Sequence, residues 1–329
     1  MAFKTATVNA SDVPATLTNY PSYIDWSRLG ITTLAEAQSS RVYADSGKVV
    51  EWAREVVSAT EGHTKVPSLT STTPIYVDYD GIRADYAVTD TYGRNAVWSE
   101  YQAVYHGDDT TDSTGNGYTL TNTGGIAYNS GKVGKAFDSG SGNNNKYLST
   151  TASLGIADTD VNSTDGVMHQ AWVNFYSEAE FNWWMGGRYG SATRRGVRAG
   201  KNHAAGTIFA GYENGNTGTT AFSYSTWYML HYTKSGSTLY QYKNGTSAST
   251  GAYTSGTSGS AAGFGLFHPR GGEGEDEVSA QIDEVRIKIG NLSANWITTE
   301  YNNQSDEAGF WGTWSDAGGG VTRRVFVVS

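Results

Sequence analysis

Several residue types are scarce or missing in this chain of 329 residues, and each absence excludes a class of protein. There is no cysteine, which excludes disulfides, thiolate metal sites and a cysteine nucleophile. Proline occurs only 5 times and charged residues make up only 17%, so this is not the composition of a disordered chain. No apolar run is long enough to span a membrane as a helix, so we expect no membrane insertion.

The charge balance argues against nucleic acid as a partner. The formal net charge is −9, whereas a nucleic-acid-binding protein needs a basic face. The N-terminal residues 1–5 lack the basic and apolar pattern of a secretory signal, and the lack of cysteine agrees with folding in a reducing cytoplasm. These features predict a protein that folds in the cytoplasm of the cell that makes it.

What the chain does contain is typical of an all-β protein. There are 41 glycines, and aromatic residues make up 13%. Short segments with alternating β-branched and aromatic residues end at turn signals. Ile75–Tyr79 runs into Asp80-Gly81, and Leu239–Lys243 runs into Asn244-Gly245, which predicts a hairpin. We expect helix in fewer than about a tenth of the residues, well below the usual third.

Two short segments have helix signals. Thr33 and Glu36 have the spacing of a capping box, which either starts a helical turn or arises by chance in a threonine-rich region. Near the C-terminus, Ser293 is suited to be an N-cap, with Trp296, Ile297 and Tyr301 on one face of the helix that follows.

The pattern of strands and turns predicts two packed β-sandwich domains of jelly-roll type. We place the first at residues 1–90, the second at 91–302, and a C-terminal extension at 303–329. The extension contains the glycines 318–320 and then the β-prone segment Val321–Ser329. That segment is either a docking strand for a neighbouring subunit or the last strand of its own domain.

Segments of the second domain resemble the marker segments of the concanavalin A-like LamG superfamily, in the same order. They are Asp112–Gly117, Gly131–Asp138, Gln170–Asn174, Trp227-Tyr228 with Leu239–Gly245, and Ile282–Ile287. The resemblance covers about 200 residues and implies a two-sheet sandwich, without implying one function.

The first 90 residues resemble a second family, an uncharacterised β-sandwich domain that often precedes LamG in surface and phage proteins. The similar segments are Leu17–Pro21, Arg41–Gly47, Lys65–Leu69 with Ile75–Tyr79, and a joining motif from Thr91–Gly93 through Val97-Trp98 to Tyr105-His106. This resemblance implies a second sandwich.

A glycan site is one candidate function of the second domain. Sugar sites combine flat aromatic faces with planar polar groups, and this combination occurs at Trp183, Trp184, Arg188 and Tyr189. Because neighbouring strand residues point to opposite faces, we expect one of the two tryptophans to be core and the other surface. The alternative is that both are buried and that the arginines serve solubility.

A structural calcium ion is the second candidate. Asp112 and Asn116 offer the oxygen ligands that calcium prefers, on a glycine-rich loop. The LamG resemblance implies that such an ion links this loop to Asp283. The alternative is a plain turn, with Asp283 hydrogen-bonded to a neighbouring loop.

Catalysis has little support in the sequence. Glycosidases need two carboxylates that flank the bond, but the densest acidic run, residues 273–277, lies beside Gly271-Gly272 and is typical of a solvated loop. The six histidines lack metal-binding spacing. We therefore predict a non-enzymatic protein on the surface of a phage virion, as capsid decoration or head fibre. Its expected partners are other virion subunits, a second copy of itself, and cell-surface glycans. The alternatives are a phage tail adhesin that binds a receptor, a cell-surface adhesin, and a glycoside-acting enzyme.

Overall fold

A computed structural model gives the architecture. It describes residues 2–142, 145–157, 160, 163–176, 181–187, 198–202, 206–212, 215–253, 263–267 and 278–318. For residues 181–183, 198, 212 and 215 it describes the backbone but not the side chain. The fold is mostly β, with 44% strand and 13% helix, arranged as packed antiparallel sheets. The all-β prediction is confirmed. The helix content exceeds the expected tenth because several short helical segments form that the sequence did not predict: Ala10–Asp12, Trp26–Leu29, Arg94–Val97 and Glu307–Trp311.

Twenty-four strands are described. They are β1 Ala2–Thr7, β2 Leu17–Asp25, β3 Arg41–Tyr43, β4 Glu51–Trp52, β5 Arg54–Val56, β6 Glu61–Leu69, β7 Pro74–Tyr79, β8 Ala103–Tyr105, β9 Thr121–Thr123, β10 Ala127–Ser130, β11 Lys135–Asp138, β12 Tyr147–Thr150, β13 Val167–Phe175, β14 Phe181–Gly187, β15 Arg198–Asn202, β16 Thr207–Tyr212, β17 Gly215–Asn216, β18 Thr220–Ala221, β19 Trp227–Ser235, β20 Thr238–Lys243, β21 Thr246–Ala252, β22 Phe264–Leu266, β23 Ala280–Ile289 and β24 Ser315–Asp316. The helices are α1 Leu34–Gln38, α2 Arg94–Val97, α3 Ala294–Ser305 and α4 Glu307–Trp311, with 3-10 turns at Ala10–Asp12 and Trp26–Leu29. Among the described residues, no helix is both long enough and apolar enough to cross a membrane.

The chain divides into two compact units. The first contains residues 1–96 and 306–329, and the second contains residues 97–305. The sequence predicts residues 303–329 as one separate extension. In the structure, residues 303–305 instead complete α3, and the chain after them belongs to the first unit. The segment Val321–Ser329 lies outside the described residues.

The first unit is built from a five-stranded sheet, in the order β24-β1-β7-β3-β4, and a three-stranded sheet, β2-β6-β5. The C-terminal segment is held in this unit by specific contacts. Its strand β24 pairs with β1, where Lys4 lies opposite Asp316, and Trp311 Nε1 donates a hydrogen bond to the Tyr23 carbonyl at 3.2 Å. The capping box on α1 is confirmed, because Thr33 Oγ1 accepts from Glu36 N and Glu36 accepts from Thr33 N.

The second unit is a sandwich of two eight-stranded sheets. Sheet I has the order β10-β11-β23-β13-β19-β20-β21, with β8 also paired to β23. Sheet II has the order β17-β16-β15-β14-β22-β12-β9, with β18 also paired to β16. One apolar core contains residues from both sheets, such as Phe137 and Leu230 of sheet I and Trp184 and Leu266 of sheet II.

Two predictions about local structure in this unit are confirmed. Asn244 and Gly245 form the turn between β20 and β21, both with positive φ (52° and 75°), as a two-residue hairpin of this type requires. Helix α3 is capped by Ser293, whose Oγ accepts from Trp296 N at 3.2 Å. The helix packs on sheet I through Gln304, whose Oε1 accepts from Trp172 Nε1 at 2.6 Å.

Candidate functional site

The tryptophan pair predicted to bind glycans lies on β14, and the structure describes the side chain of one member, Trp184. Trp184 is fully buried and packs against Phe175 and Tyr232, with ring centroids 5.9 and 6.2 Å apart. No face of its indole is open to a sugar, so Trp184 is a core residue. This agrees with the expectation that one of the two neighbouring tryptophans on the strand points into the core.

The other three predicted glycan residues are only partly covered by the structure. The backbone of Trp183 lies opposite Gly200 on β15, and its side chain lies outside the described atoms. Arg188 and Tyr189 lie outside the described residues altogether. Their predicted role therefore stays a prediction.

The Asp112 carboxylate is buried and accepts four hydrogen bonds from the protein. Its Oδ1 accepts from Val104 N and Thr114 N at 3.1 and 3.0 Å. Its Oδ2 accepts from Thr114 Oγ1 and Tyr118 N at 2.7 and 3.0 Å. Asn116, on the same loop, is exposed and donates to the carbonyls of residues 101 and 102. These bonds favour the turn interpretation of the loop.

Asp283, the third predicted calcium ligand, holds a different loop. Its Oδ2 accepts from the backbone N–H groups of Lys132 and Val133, both at 2.8 Å. Gly131 is required there, because a Cβ on it would lie 2.5 Å from Asp283 Oδ2. Burial, and then the neighbouring Glu284, raise the pKa of Asp283 well above its usual range. Asp283 Oδ1 has no hydrogen-bond partner among the described residues, so calcium binding here stays a prediction.

Replacing Asp112 by alanine separates the two interpretations of this loop. The change leaves buried donors without an acceptor, so we expect the free energy of unfolding to fall by roughly 3 kcal/mol. If the turn interpretation holds, thermal unfolding shows the same loss in calcium buffer and in chelator, and chelator leaves the wild-type melting temperature unchanged. A loss that appears only in calcium buffer would instead support the metal site.

A better candidate for a binding site is a loop that the sequence analysis did not select. The aromatic loop, residues 222–227, joins β18 to the first residue of β19. Its aromatic residues Phe222, Tyr224 and Trp227 are partly exposed. Its hydroxyl residues Ser223, Ser225 and Thr226 are exposed. Rigid aromatic rings alternating with small hydroxyl groups are the composition that binding loops of antibodies use.

Hydrogen bonds and ring contacts hold the aromatic loop in place. Ser225 N donates to the Phe175 carbonyl at 2.8 Å, and Ser223 N donates to Tyr228 OH at 3.0 Å. The ring of Phe222 lies 5.1 Å from those of both Phe175 and Tyr224. Because the loop is already ordered without a ligand, binding carries no further entropy cost for ordering it.

The backbone at Ser225 adds a second indication of function. Its φ is 54°, in the left-handed region that residues with a side chain adopt at a cost. Such a conformation persists only where the surroundings enforce it, here through the bond to the Phe175 carbonyl, and it is enriched at ligand sites.

Two lysines lie against the aromatic rings of this region. The Nζ of Lys201 lies 5.7 and 5.6 Å from the ring centres of Phe175 and Tyr224. Lys243 Nζ lies 4.9 Å from the ring centre of Tyr228 and donates to the Ala221 carbonyl at 2.8 Å. Lys201 is fully buried, so the site combines aromatic rings and hydroxyl groups with the partly exposed Lys243 alone.

A second group of polar residues in this unit is a buried charged network on β23, β19 and α3. Arg286 donates to Glu284 and to Glu300, both at 2.5 Å. Each glutamate also contacts a histidine: Glu284 pairs with His106, and Glu300 with His231 at 3.1 Å. All five side chains are nearly inaccessible to solvent.

The network shifts the ionisation of its members. Burial alone would lower the pKa of Arg286, but the carboxylates of Glu284 and Glu300 raise it overall. Burial alone would raise the pKa of Glu300, but Arg286 and then His231 lower it overall. The arginine and Glu300 therefore stay charged, and their attraction holds α3 to sheet I.

Glu284 occupies a β-bulge. Residues 284 and 285 lie opposite the single residue Ala171 of β13, and Glu284 has a φ of 51°. The bulge places two consecutive carboxylates, Asp283 and Glu284, in buried contacts. Sequence reasoning identified Asp283 and missed the others, because the partners of Glu284 come from distant segments.

Comparisons with known proteins identify no family. No model of a known protein family matches the chain, and no curated protein matches it. The LamG assignment therefore remains a resemblance.

Several solved structures are similar to the chain. Domain 4 of AbnA, a GH43 extracellular arabinanase from Geobacillus stearothermophilus, in complex with arabinotriose, is 20% identical; the match covers 60% of this chain and 97% of that one, with a TM-score of 0.42. The receptor-binding domain of botulinum neurotoxin type G is 12% identical, with 62% and 51% covered and a TM-score of 0.43. A Trypanosoma rangeli sialidase is 11% identical, with 71% and 41% covered and a TM-score of 0.48. The chain thus spans about half or less of the toxin and sialidase chains, and at these values no ligand or activity is transferred.

Proposed function

We propose that the protein binds glycans through the aromatic loop of its second unit and does not cleave them. The observation that carries this proposal is the ordered loop of residues 222–227, in which partly exposed aromatic rings alternate with exposed hydroxyl groups. Aromatic faces pack on the apolar face of a sugar ring, and hydroxyl groups exchange hydrogen bonds with its edge.

The absence of cleavage is part of the proposal. Glycoside hydrolysis needs two carboxyl groups that a substrate can reach on either side of the bond. Among the described residues of the second unit, the carboxylates of Asp283, Glu284 and Glu300 lie in one group, and they are fully buried and engaged in holding the fold. An assay for reducing ends released from bound polysaccharides tests this directly, and sustained release would contradict it.

Alanine substitutions in the aromatic loop test the binding site. We expect Tyr224→Ala and Trp227→Ala each to weaken glycan binding about tenfold or more, because tyrosine and tryptophan dominate the binding energy of such surfaces. Glycan arrays identify a ligand, and titration calorimetry measures its affinity.

Tyr240→Ala is the matched control for these variants, because Tyr240 is also a partly exposed tyrosine on sheet I, on β20 outside the loop. It should bind as the wild type does. Wild-type affinity in both loop variants would place the site elsewhere, and a wild-type protein that binds no glycan would overturn the proposal.

For the biological setting we propose an exposed position on a phage virion, as capsid decoration or head fibre. The support is the resemblance of both domains to domains of phage and surface proteins. A tail adhesin is the closest alternative, since it would use the same glycan-binding surface. Immunogold labelling of phage particles with an antibody to this chain distinguishes capsid from tail, and unlabelled particles would contradict both.

A further inference from the structure

Beside the aromatic loop, the outer face of sheet I carries a row of polar side chains. Trp227, the last residue of the loop, lies directly opposite Asn174 of β13. The residues next to them, Tyr228 and Val173, belong to the apolar core. Because neighbouring strand residues point to opposite faces, Trp227 and Asn174 point away from the core, onto the outer face.

The row crosses five neighbouring strands. Asn174 lies opposite Gln281 of β23, and Gln281 lies opposite Asp138 of β11. On the edge strand β10, Asn129 Nδ2 donates to Asp138 Oδ2 at 2.9 Å. Four interstrand spacings make the row about 19 Å long. The polar row is therefore Asn174, Gln281, Asp138 and Asn129, with Trp227 at its start.

Most of the polar row can be reached from solvent. Trp227, Asn174 and Gln281 are partly exposed, and Asn129 is exposed. Asp138 is the buried member, at 7% exposed. A ligand that lies along this face can therefore contact four of the five side chains.

Hydrogen bonds between its members hold the polar row in place. Asn174 Nδ2 donates to Gln281 Oε1 at 3.1 Å, and Gln281 Nε2 donates to the Ser130 carbonyl at 3.3 Å. The hydroxyl of Tyr176, a partly exposed residue on the same face, donates to Asp138 Oδ2 at 2.9 Å. Side chains that are already fixed lose little freedom when a ligand binds.

The side-chain amides of the row have donors left for a ligand. An amide group has two N–H donors. Among the described residues, Asn129, Asn174 and Gln281 each use one of them. The hydroxyl oxygens of a sugar can accept from the second. The row thus offers fixed donors in a line, with the rings of Trp227 and Tyr176 on the same face.

We infer that the glycan site continues from the aromatic loop along the polar row, and that its ligand is an extended stretch of several linked sugars. The inference rests on the proposed glycan-binding function and specifies the length of the ligand. One sugar ring is too short to contact both ends of the row, whereas a linear chain follows it from Trp227 to Asn129. The row contains no lysine or arginine, and its single carboxylate is already hydrogen-bonded, so its contacts are with neutral hydroxyl groups.

A series of oligosaccharides tests the length of the site. Titration calorimetry on the full chain uses cello-, xylo-, manno- and chito-oligosaccharides of one to six sugars, and the same series of any glycan that the array identifies. In at least one series we expect the affinity to rise about tenfold or more between the shortest member that binds and the hexasaccharide. Each added sugar reaches further donors, and the rise should stop once the chain covers the row.

Substitutions along the row locate the bound chain. Trp227→Ala should weaken binding at every length. Asn129→Ala, at the far end, should weaken hexasaccharide binding several-fold and leave the shortest binding member unchanged, whereas a general loss of folding would weaken both alike. Gln281→Ala, in the middle, should already affect chains of intermediate length. Asn216→Ala is the matched control, since Asn216 is an exposed asparagine on β17 of sheet II and should leave all affinities unchanged.

The possible failures are distinguishable. Equal affinity for the shortest and the longest members, or an Asn129→Ala effect that does not depend on length, would refute the extended site and leave the proposed glycan binding intact. A wild-type chain that binds no glycan would overturn the proposed function as well. Sedimentation of the glycan-free chain tests another occupant: a dimer that Gln281→Ala dissociates would show that a second copy of the chain covers the row.

Discussion

Arg286→Met is expected to lower the free energy of unfolding of the second unit by about 3–5 kcal/mol. Arg286 is fully buried and is the only cation that contacts both Glu284 and Glu300 in the described structure. Without the guanidinium, two buried carboxylates repel each other in a medium that solvates them poorly. For a unit of this size, a loss of this magnitude lowers the melting temperature by roughly 6–20 °C.

The same strand provides a matched control. Lys288 lies two residues further along β23 and pairs with Glu100 at 3.0 Å, at a site where the glutamate is 37% exposed. Lys288→Met removes the same charge from a solvent-screened pair, so we expect a loss of about 1 kcal/mol or less. Thermal and urea unfolding of both variants measure the difference. Equal, small losses would show that the buried network does not hold α3 to the sheet.

The second large effect is a loss of stability in acid that depends on His169. This residue lies in the core of the second unit, opposite Tyr232 on the neighbouring strand, with its ring parallel to that of Phe264 at 6.2 Å. It is 4% exposed, and its Nδ1 has no hydrogen-bond partner among the described residues. Burial lowers the pKa of His169 to about 3, from an ordinary value of 6.5.

The direction of the pH effect follows from this shift. Between pH 6.5 and pH 3 the unfolded chain binds a proton at His169 and the folded chain does not. The stabilisation is therefore complete above pH 6.5 and is lost progressively as the pH falls toward 3. The pKa difference corresponds to a total loss on the order of 5 kcal/mol.

Neutral substitutions isolate this contribution. Urea unfolding from pH 7.5 to pH 3.5 should show a steep loss of stability for the wild type and a shallower loss for His169→Phe and His169→Gln. The two variants will differ in absolute stability, but they should share the flatter pH profile, because neither can bind the proton. If the wild-type and variant profiles are parallel, the buried histidine does not cause the acid sensitivity.

The local features of the chain could be predicted from the sequence because they depend on residues close in sequence. The Asn244-Gly245 turn follows from the backbone angles those two residues accept. The N-cap at Ser293 follows from an oxygen that must accept a hydrogen bond three residues away. The all-β class follows similarly, from alternation within short segments.

The functional sites were harder to predict from the sequence, because their residues come from distant segments. Asp112 and Asp283 were predicted to share one ion, yet each is hydrogen-bonded to a different loop, which no spacing reveals. The aromatic loop did have a signal, the alternation of ring and hydroxyl residues from 222 to 225, but the same alternation predicts an ordinary strand. Only its position between two strands identifies it as an exposed loop.

The sequence by itself determined the class of fold, the turns, the capped helix and the amount of charge of each sign. The tertiary structure decided that Trp184 enters the core. It also decided that Arg286 joins two glutamates 16 residues apart in sequence, and that Lys201 and Lys243 lie against the rings of one region. The physical reason is the range of the interactions involved. Backbone angles and caps act over a few residues, whereas burial and charge pairing depend on which strands become neighbours, and that is settled only when the sheets form.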